Sequence, residues 1–181
     1  MIVSNLNVNH SAHVFDAGYR SLADNISILN SEFRGITGDI LRLDKEQDDL
    51  GIYNVEYVTI KDSSFTDIQG AIAKIYRGGT DESTFGPHIM MLNNSISNVG
   101  GGKRNKSGAM LYLHGVQDTD LINNKVSQSR GIVIEHTVGE PQTFIADNEF
   151  VNTPQISVSE LFTGGESTAI LQNNRFSGEM N

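Results

Sequence analysis

A six-residue motif recurs six times in this chain and limits what it can fold into: an aliphatic residue, any residue, Asn or Asp, Asn or Ser, any residue, then Phe, Ile or Val. The copies are Ile28-Leu29-Asn30-Ser31-Glu32-Phe33, Ile60-Lys61-Asp62-Ser63-Ser64-Phe65, Met91-Leu92-Asn93-Asn94-Ser95-Ile96, Leu121-Ile122-Asn123-Asn124-Lys125-Val126, Ile145-Ala146-Asp147-Asn148-Glu149-Phe150 and Leu171-Gln172-Asn173-Asn174-Arg175-Phe176. Their last residues lie 32, 31, 30, 24 and 26 apart. A near-regular period in the range of roughly 20 to 50 residues marks a solenoid, in which each unit buries its apolar side only against its neighbours.

Alternating runs such as Ile26-Ser27-Ile28 and Val58-Thr59-Ile60 precede the copies, with the two-residue period of a half-buried strand. The motif is therefore strand, polar corner, strand. Asn and Asp tolerate left-handed backbone angles and bond their own main chain, so they hold a bend without Gly. After most copies comes a Gly and a second run: Gly38-Asp39-Ile40-Leu41-Arg42-Leu43-Asp44, Gly70-Ala71-Ile72-Ala73-Lys74-Ile75-Tyr76 and Gly108-Ala109-Met110-Leu111-Tyr112-Leu113-His114, with weaker versions at 130–135 and 155–159. The pattern predicts an all-β, right-handed parallel β-helix of about six coils, one domain over 1–181, with an asparagine-rich corner ladder. A β-sandwich would not need polar pairs at one fixed place in every unit.

Composition narrows the chemistry. There is no Cys, which excludes disulfides and thiolate metal sites. A net charge of -9 argues against nucleic acid, and an anionic ligand would need a local basic patch or a cation to offset the global field. No apolar run approaches the roughly 18 residues of a membrane span, and the N-terminus is not a signal peptide. Neither end carries a capping helix, which points to a piece of a longer chain or to a partner over the open sheet ends.

Period two places Ala71, Ala73 and Ile75 inside and sends Ile72, Lys74 and Tyr76 outward. The same register exposes Ile40, Arg42 and Asp44 on one side, Met110, Tyr112 and His114 on the other, and Glu135 beyond. Arg42, Lys74, Tyr76, Tyr112 and His114 then form one outer face, with rings for pyranose surfaces and cations for acids. Lys103, Arg104 and Lys106, on a Gly-rich insertion over 100–107, form the one basic cluster and border that face. The insertion at 77–87, with Arg77, Asp81, Glu82 and Phe85, has the composition of a domain contact. Asp44, Glu46, Asp48 and Asp49 match no calcium loop, and no metal site is assigned. His136 beside Glu135 reads as a local hydrogen-bonded pair.

Longer runs carry a resemblance. Residues 76–88, Gly102-Lys103-Arg104-Asn105-Lys106-Ser107-Gly108, Tyr112-Leu113-His114-Gly115-Val116, Arg42-Leu43-Asp44, residues 48–54 and His136-Thr137-Val138-Gly139-Glu140-Pro141 together resemble the alginate lyases of polysaccharide lyase family six, relatives of chondroitinase B. The resemblance implies a parallel β-helix, most like the C-terminal one of the two-domain members, with the catalytic centre and any Ca²⁺ in the other domain and no cofactor in this one. The family's chemistry is β-elimination, with a Lys base before Ser and an Arg acid opening an Arg-His-Gly run. Lys106-Ser107 and His114-Gly115 imitate those runs, but Leu113 stands where the Arg is needed.

The resulting expectation is a domain that supports the catalytic β-helix of the same lyase and is a candidate binder of alginate or a related polyuronate, secreted or periplasmic in a bacterium, and not catalytic alone. Two alternatives stand beside it. One is a small self-sufficient lyase using Lys106, His114, Tyr112 and Arg130; the other is a purely structural or oligomerising β-helix.

Overall fold

The computed structural model describes residues 1–17, 23–44, 55–76, 87–137, 139–154, 156–161 and 166–178. They form three parallel sheets and no helix. The first sheet stacks Ile2–Ser4, Ala23–Leu29, Val55–Lys61, His88–Leu92, Asp118–Ile122, Gln142–Ala146 and Thr168–Gln172. The second stacks Asn7–Asn9, Glu32–Arg34, Ser64–Ile68, Ser95–Val99, Lys125–Ser127, Glu149–Val151 and Arg175–Ser177. The third stacks Phe15–Asp16, Leu41–Leu43, Ala73–Tyr76, Ala109–His114, Gly131–His136 and Ile156–Glu160. Strands recur every third element, so each coil contributes one strand to each sheet, as in a parallel β-helix.

The recurring motif is the corner between the first and second sheets, and its two polar positions do different work. The first holds the bend. Asn30, Asp62, Asn93, Asn123, Asp147 and Asn173, with Asn5 in the first coil, have φ between 46° and 58°. They are the residue types that enter this left-handed region at least cost. Their side chains reach the surface, where Asn123 Nδ2 donates to Asn93 Oδ1 at 2.8 Å and Asn93 Nδ2 to Asp62 Oδ1 at 3.1 Å.

The second polar position points inward and forms the buried ladder. Asn94 N and Nδ2 both donate to Asn124 Oδ1, at 3.0 and 2.9 Å. Asn124 donates in the same way to Asn148, and Asn148 to Asn174. Each amide also donates to a first-sheet carbonyl, Asn94 to Ile60, Asn124 to Met91 and Asn148 to Leu121. Ser63 and Ser31 continue the ladder toward the N-terminus, with Ser63 N donating to Asn94 Oδ1 and Ser31 N to Ser63 Oγ.

Apolar columns fill the space between the sheets. Ile28, Ile60, Met91, Leu121 and Ile145 stack in register from the first sheet, and Phe33, Phe65, Ile96, Val126 and Phe150 from the second. Phe33 and Phe65 lie face to face at 5.2 Å, a pairing worth about 0.5–1.5 kcal/mol beyond burial.

Strict alternation fails where the chain enters the third sheet. Ile40, Ile72 and Met110 are buried, not exposed. Ile40 and Ile72 sit in the turn just before their third-sheet strands, where the chain is still rounding the corner, so consecutive side chains, Ile40-Leu41 and Ala71-Ile72-Ala73, are buried. Met110 is the extra residue of a bulge, since Ala109 pairs with Gly131 while Leu111 pairs with Ile132.

Candidate functional site

Beyond those turn positions the third sheet alternates as the sequence requires. Leu41, Leu43, Ala73, Ile75, Leu111 and Leu113 point into the core, which sends Arg42, Lys74, Tyr76, Tyr112 and Glu135 to the outer face. Two columns result from the register. Asp16, Arg42, Lys74 and Tyr112 form one, and Tyr76, His114 and Glu135 the other.

The cations of this face are already engaged. Arg42 Nε donates to Asp16 Oδ1 at 3.0 Å and lies 3.7 Å from Asp44 Oδ1, while Lys74 Nζ is 2.7 Å from Asp44 Oδ2. The hydrogen bond to Asp16 holds the Arg42 pKa above its ordinary value. Two cations, Arg42 and Lys74, and two carboxylates, Asp16 and Asp44, thus cancel on this face. The second column converges on one oxygen. Tyr112 OH donates to Glu135 Oε2 at 2.8 Å, and His114 Nδ1 lies 2.8 Å from the same atom. Tyr76 covers His114, ring on ring at 4.1 Å and 2°, leaving that residue only 8% exposed. Burial first, and then Glu135, push the Tyr112 phenol well above its usual pKa, so it is a donor and not a base.

Other expected residues lie elsewhere. Lys103, Arg104 and Lys106 are exposed on the turn that enters the third sheet, whereas His114 ends the strand that follows it. Arg130 is exposed at the start of the next coil's third-sheet strand. Lys106 and Arg130 therefore do not converge with Tyr112 and His114. Leu113 is fully buried. His136 and Glu135 do not pair: neighbours in a strand face opposite ways, and His136 is buried with Nε2 2.9 Å from Thr143 Oγ1. Arg77, Asp81, Glu82 and Phe85 lie outside the described residues, as do Glu46, Asp48 and Asp49.

The outer face of the first sheet carries a groove of about 550 Å³ that the repeat had hidden. Its outward positions are the alternate residues of the runs before each corner: Tyr57, then His88 and Met90, Asp118 and Asp120, Phe144, and Ile170. Tyr57, Met90 and Ile170 are 46%, 40% and 48% exposed. His88 pairs with Asp118 and packs against the Tyr57 ring at 4.9 Å. Asp120 titrates above the ordinary carboxylate range because it is partly buried and beside Asp118. Such a surface has the apolar area and the few polar groups of a contact face.

No family model and no curated protein matches the chain. Solved structures do. The PL6 family alginate lyase AlyGC is 54% identical over 97% of this chain, with a TM-score of 0.88, and a point variant of that enzyme is 53% identical over 96%, with a TM-score of 0.89. In both, the chain spans 24% of the length of the matched protein. At that identity over nearly its whole length, the chain is a parallel β-helix domain of the PL6 alginate lyase family.

Proposed function

We propose that this chain serves an alginate lyase as a supporting β-helix that packs beside the catalytic domain and holds the polyuronate chain without cleaving it. The observation that carries this is the match to AlyGC at 54% identity across 97% of this chain but only 24% of that one. The site chemistry agrees. Base and acid must flank one sugar ring within hydrogen-bond reach, and of the residues that could act, Lys106 and Arg130 lie at the entry to the third sheet while Tyr112 and His114 lie further along its strand. Leu113, in the position expected for the acid, is in the core. The apolar groove around Tyr57, Met90 and Ile170 favours packing against another domain.

Complementation tests the proposal. The remainder of a PL6 lyase, prepared separately, is assayed for unsaturated product with and without this chain. The expected result is a lower KM or a higher rate as the chain is added. Equal rates at every concentration of the chain contradict it.

A further inference from the structure

Among the described cations, Arg34, Arg42, Lys61 and Lys74 each lie within 4.0 Å of a carboxylate. Lys125 and Arg175 alternate with Glu149 in one column of the second sheet. Lys103, Arg104, Lys106 and Arg130 have no carboxylate at that distance among the described residues, and all four belong to the corner where the second sheet passes into the third. In a protein of net charge -9, four uncompensated cations at one corner make a local field opposite in sign to that of the whole.

This corner is built. Asn105 Nδ2 donates to the carbonyls of Gly100 and Ala109, both at 2.8 Å, and its own carbonyl accepts from Gly108 N at 3.1 Å. Ser107 Oγ donates to Asn105 Oδ1, and Gly102 N donates to Gln69 O at 2.9 Å. The turn bearing Lys103, Arg104 and Lys106 is thereby fastened to Gly100, which lies against Arg130: a Cβ on Gly100 would come within 2.9 Å of the Arg130 Cβ. Gly100 has φ 88°, and its lack of a side chain allows this approach. Beside the turn runs a groove of about 590 Å³ lined by Val99, Gly101, Gln128, Arg130, Asn152 and Pro154, within the volume range of small-ligand sites.

We infer that this second corner, and not the outer face of the third sheet, is where the domain takes hold of a carboxylate-bearing polysaccharide. Arg130 offers a planar fork to one uronate carboxylate, Lys103, Arg104 and Lys106 act as point charges on its neighbours, and the Gln128 amide faces sugar hydroxyls. On the third sheet an incoming carboxylate would have to displace Asp16 or Asp44 from Arg42 and Lys74. At the corner no described carboxylate has to be displaced.

The inference rests on the proposed role in holding polyuronate, and the test separates the two. Binding of an alginate oligomer to the whole chain is measured by calorimetry at low and at physiological salt, with a neutral mannan oligomer as control. Arg130→Ala and the double variant Lys103→Ala, Arg104→Ala are compared with Arg42→Ala and Lys74→Ala, each checked by thermal melting. The corner variants are expected to weaken binding about tenfold or more, the scale of one lost hydrogen bond to a charged group. The Arg42 and Lys74 variants should change it less than about twofold, and added salt should weaken it steeply. If binding survives the corner variants and falls with Arg42→Ala or Lys74→Ala, the inference is overturned and the holding role stands. If the unaltered chain binds no alginate at low salt, the holding role itself fails.

Discussion

Asn123 and Asn124 are adjacent, chemically identical and unequal. Asn123 is exposed and bends the chain, with a replaceable surface bond to Asn93. Asn124 is buried and accepts from both nitrogens of Asn94 while donating to Met91 O and Asn148 Oδ1. Asn124→Ala leaves several of these groups without partners, and at about 1–3 kcal/mol per unsatisfied group it should cost roughly 2–5 kcal/mol. Asn123→Asp keeps the backbone preference and should change stability by less than about 0.5 kcal/mol. Melting temperatures of the two variants check this; equal losses would show that the buried amides are not the structural ladder.

His136 supplies a second residue-scale prediction. It is 1% exposed, bonded to Thr143, and burial lowers its pKa, with the charge of Glu160 opposing in part. A histidine held neutral by folding takes up its proton more readily when unfolded. Its stability contribution is therefore present above the unfolded pKa of about 6.5 and is lost as pH falls through that value toward the folded one. The melting temperature should drop between pH 7 and 5, and His136→Gln should flatten that drop. A profile unchanged by the variant contradicts the assignment.

At the scale of the element, the first corner was legible and the second was not, for a chemical reason. Every first-corner bend uses Asn or Asp, so the sequence repeats visibly. The second corner, five residues later, bends at His10, Gly35, Asp67, Asn98, Gln128, Asn152 and Gly178, all with positive φ. The backbone turns left-handed at every one of these positions, with φ from 48° to 86°, but residue type varies. Period two read the third-sheet strands correctly over Arg42, Lys74 and Tyr112, and misread Ile40, Ile72 and Met110 because a corner and a bulge interrupt the alternation. It also could not show that Asp16, far away in sequence, neutralises Arg42. Gln128 is the long, unsuited member of the second column, with φ 49° between Asn98 and Asn152. Gln128→Asn should stabilise the fold by about 0.5–1 kcal/mol, within the range of left-handed strain for ordinary residues. Denaturant midpoints decide, and a loss of stability would mean that Gln128 makes compensating interactions along the groove.

For the whole molecule, the three sheets divide the surface into faces of different character. The first sheet offers Tyr57, Met90 and Ile170 in a groove that also holds His88, Asp118 and Asp120, the third an internally neutralised set of ion pairs, and the second-to-third corner four cations with no carboxylate within 4.0 Å among the described residues. On the proposed function, packing and holding fall on separate faces of the β-helix. Met90→Asp should weaken association with the remainder of the lyase about tenfold or more, the scale expected when a buried apolar anchor at an interface is replaced by a charge. Unchanged association in pull-down or ultracentrifugation would move the docking face elsewhere.

Whether this β-helix holds polyuronate without cleaving it is decided by incubating the purified chain alone with alginate and following the absorbance of the unsaturated product. No product above a buffer control is expected, at the low salt where binding should be strongest. Turnover that disappears in Lys106→Ala would contradict it and identify the chain as a self-sufficient lyase.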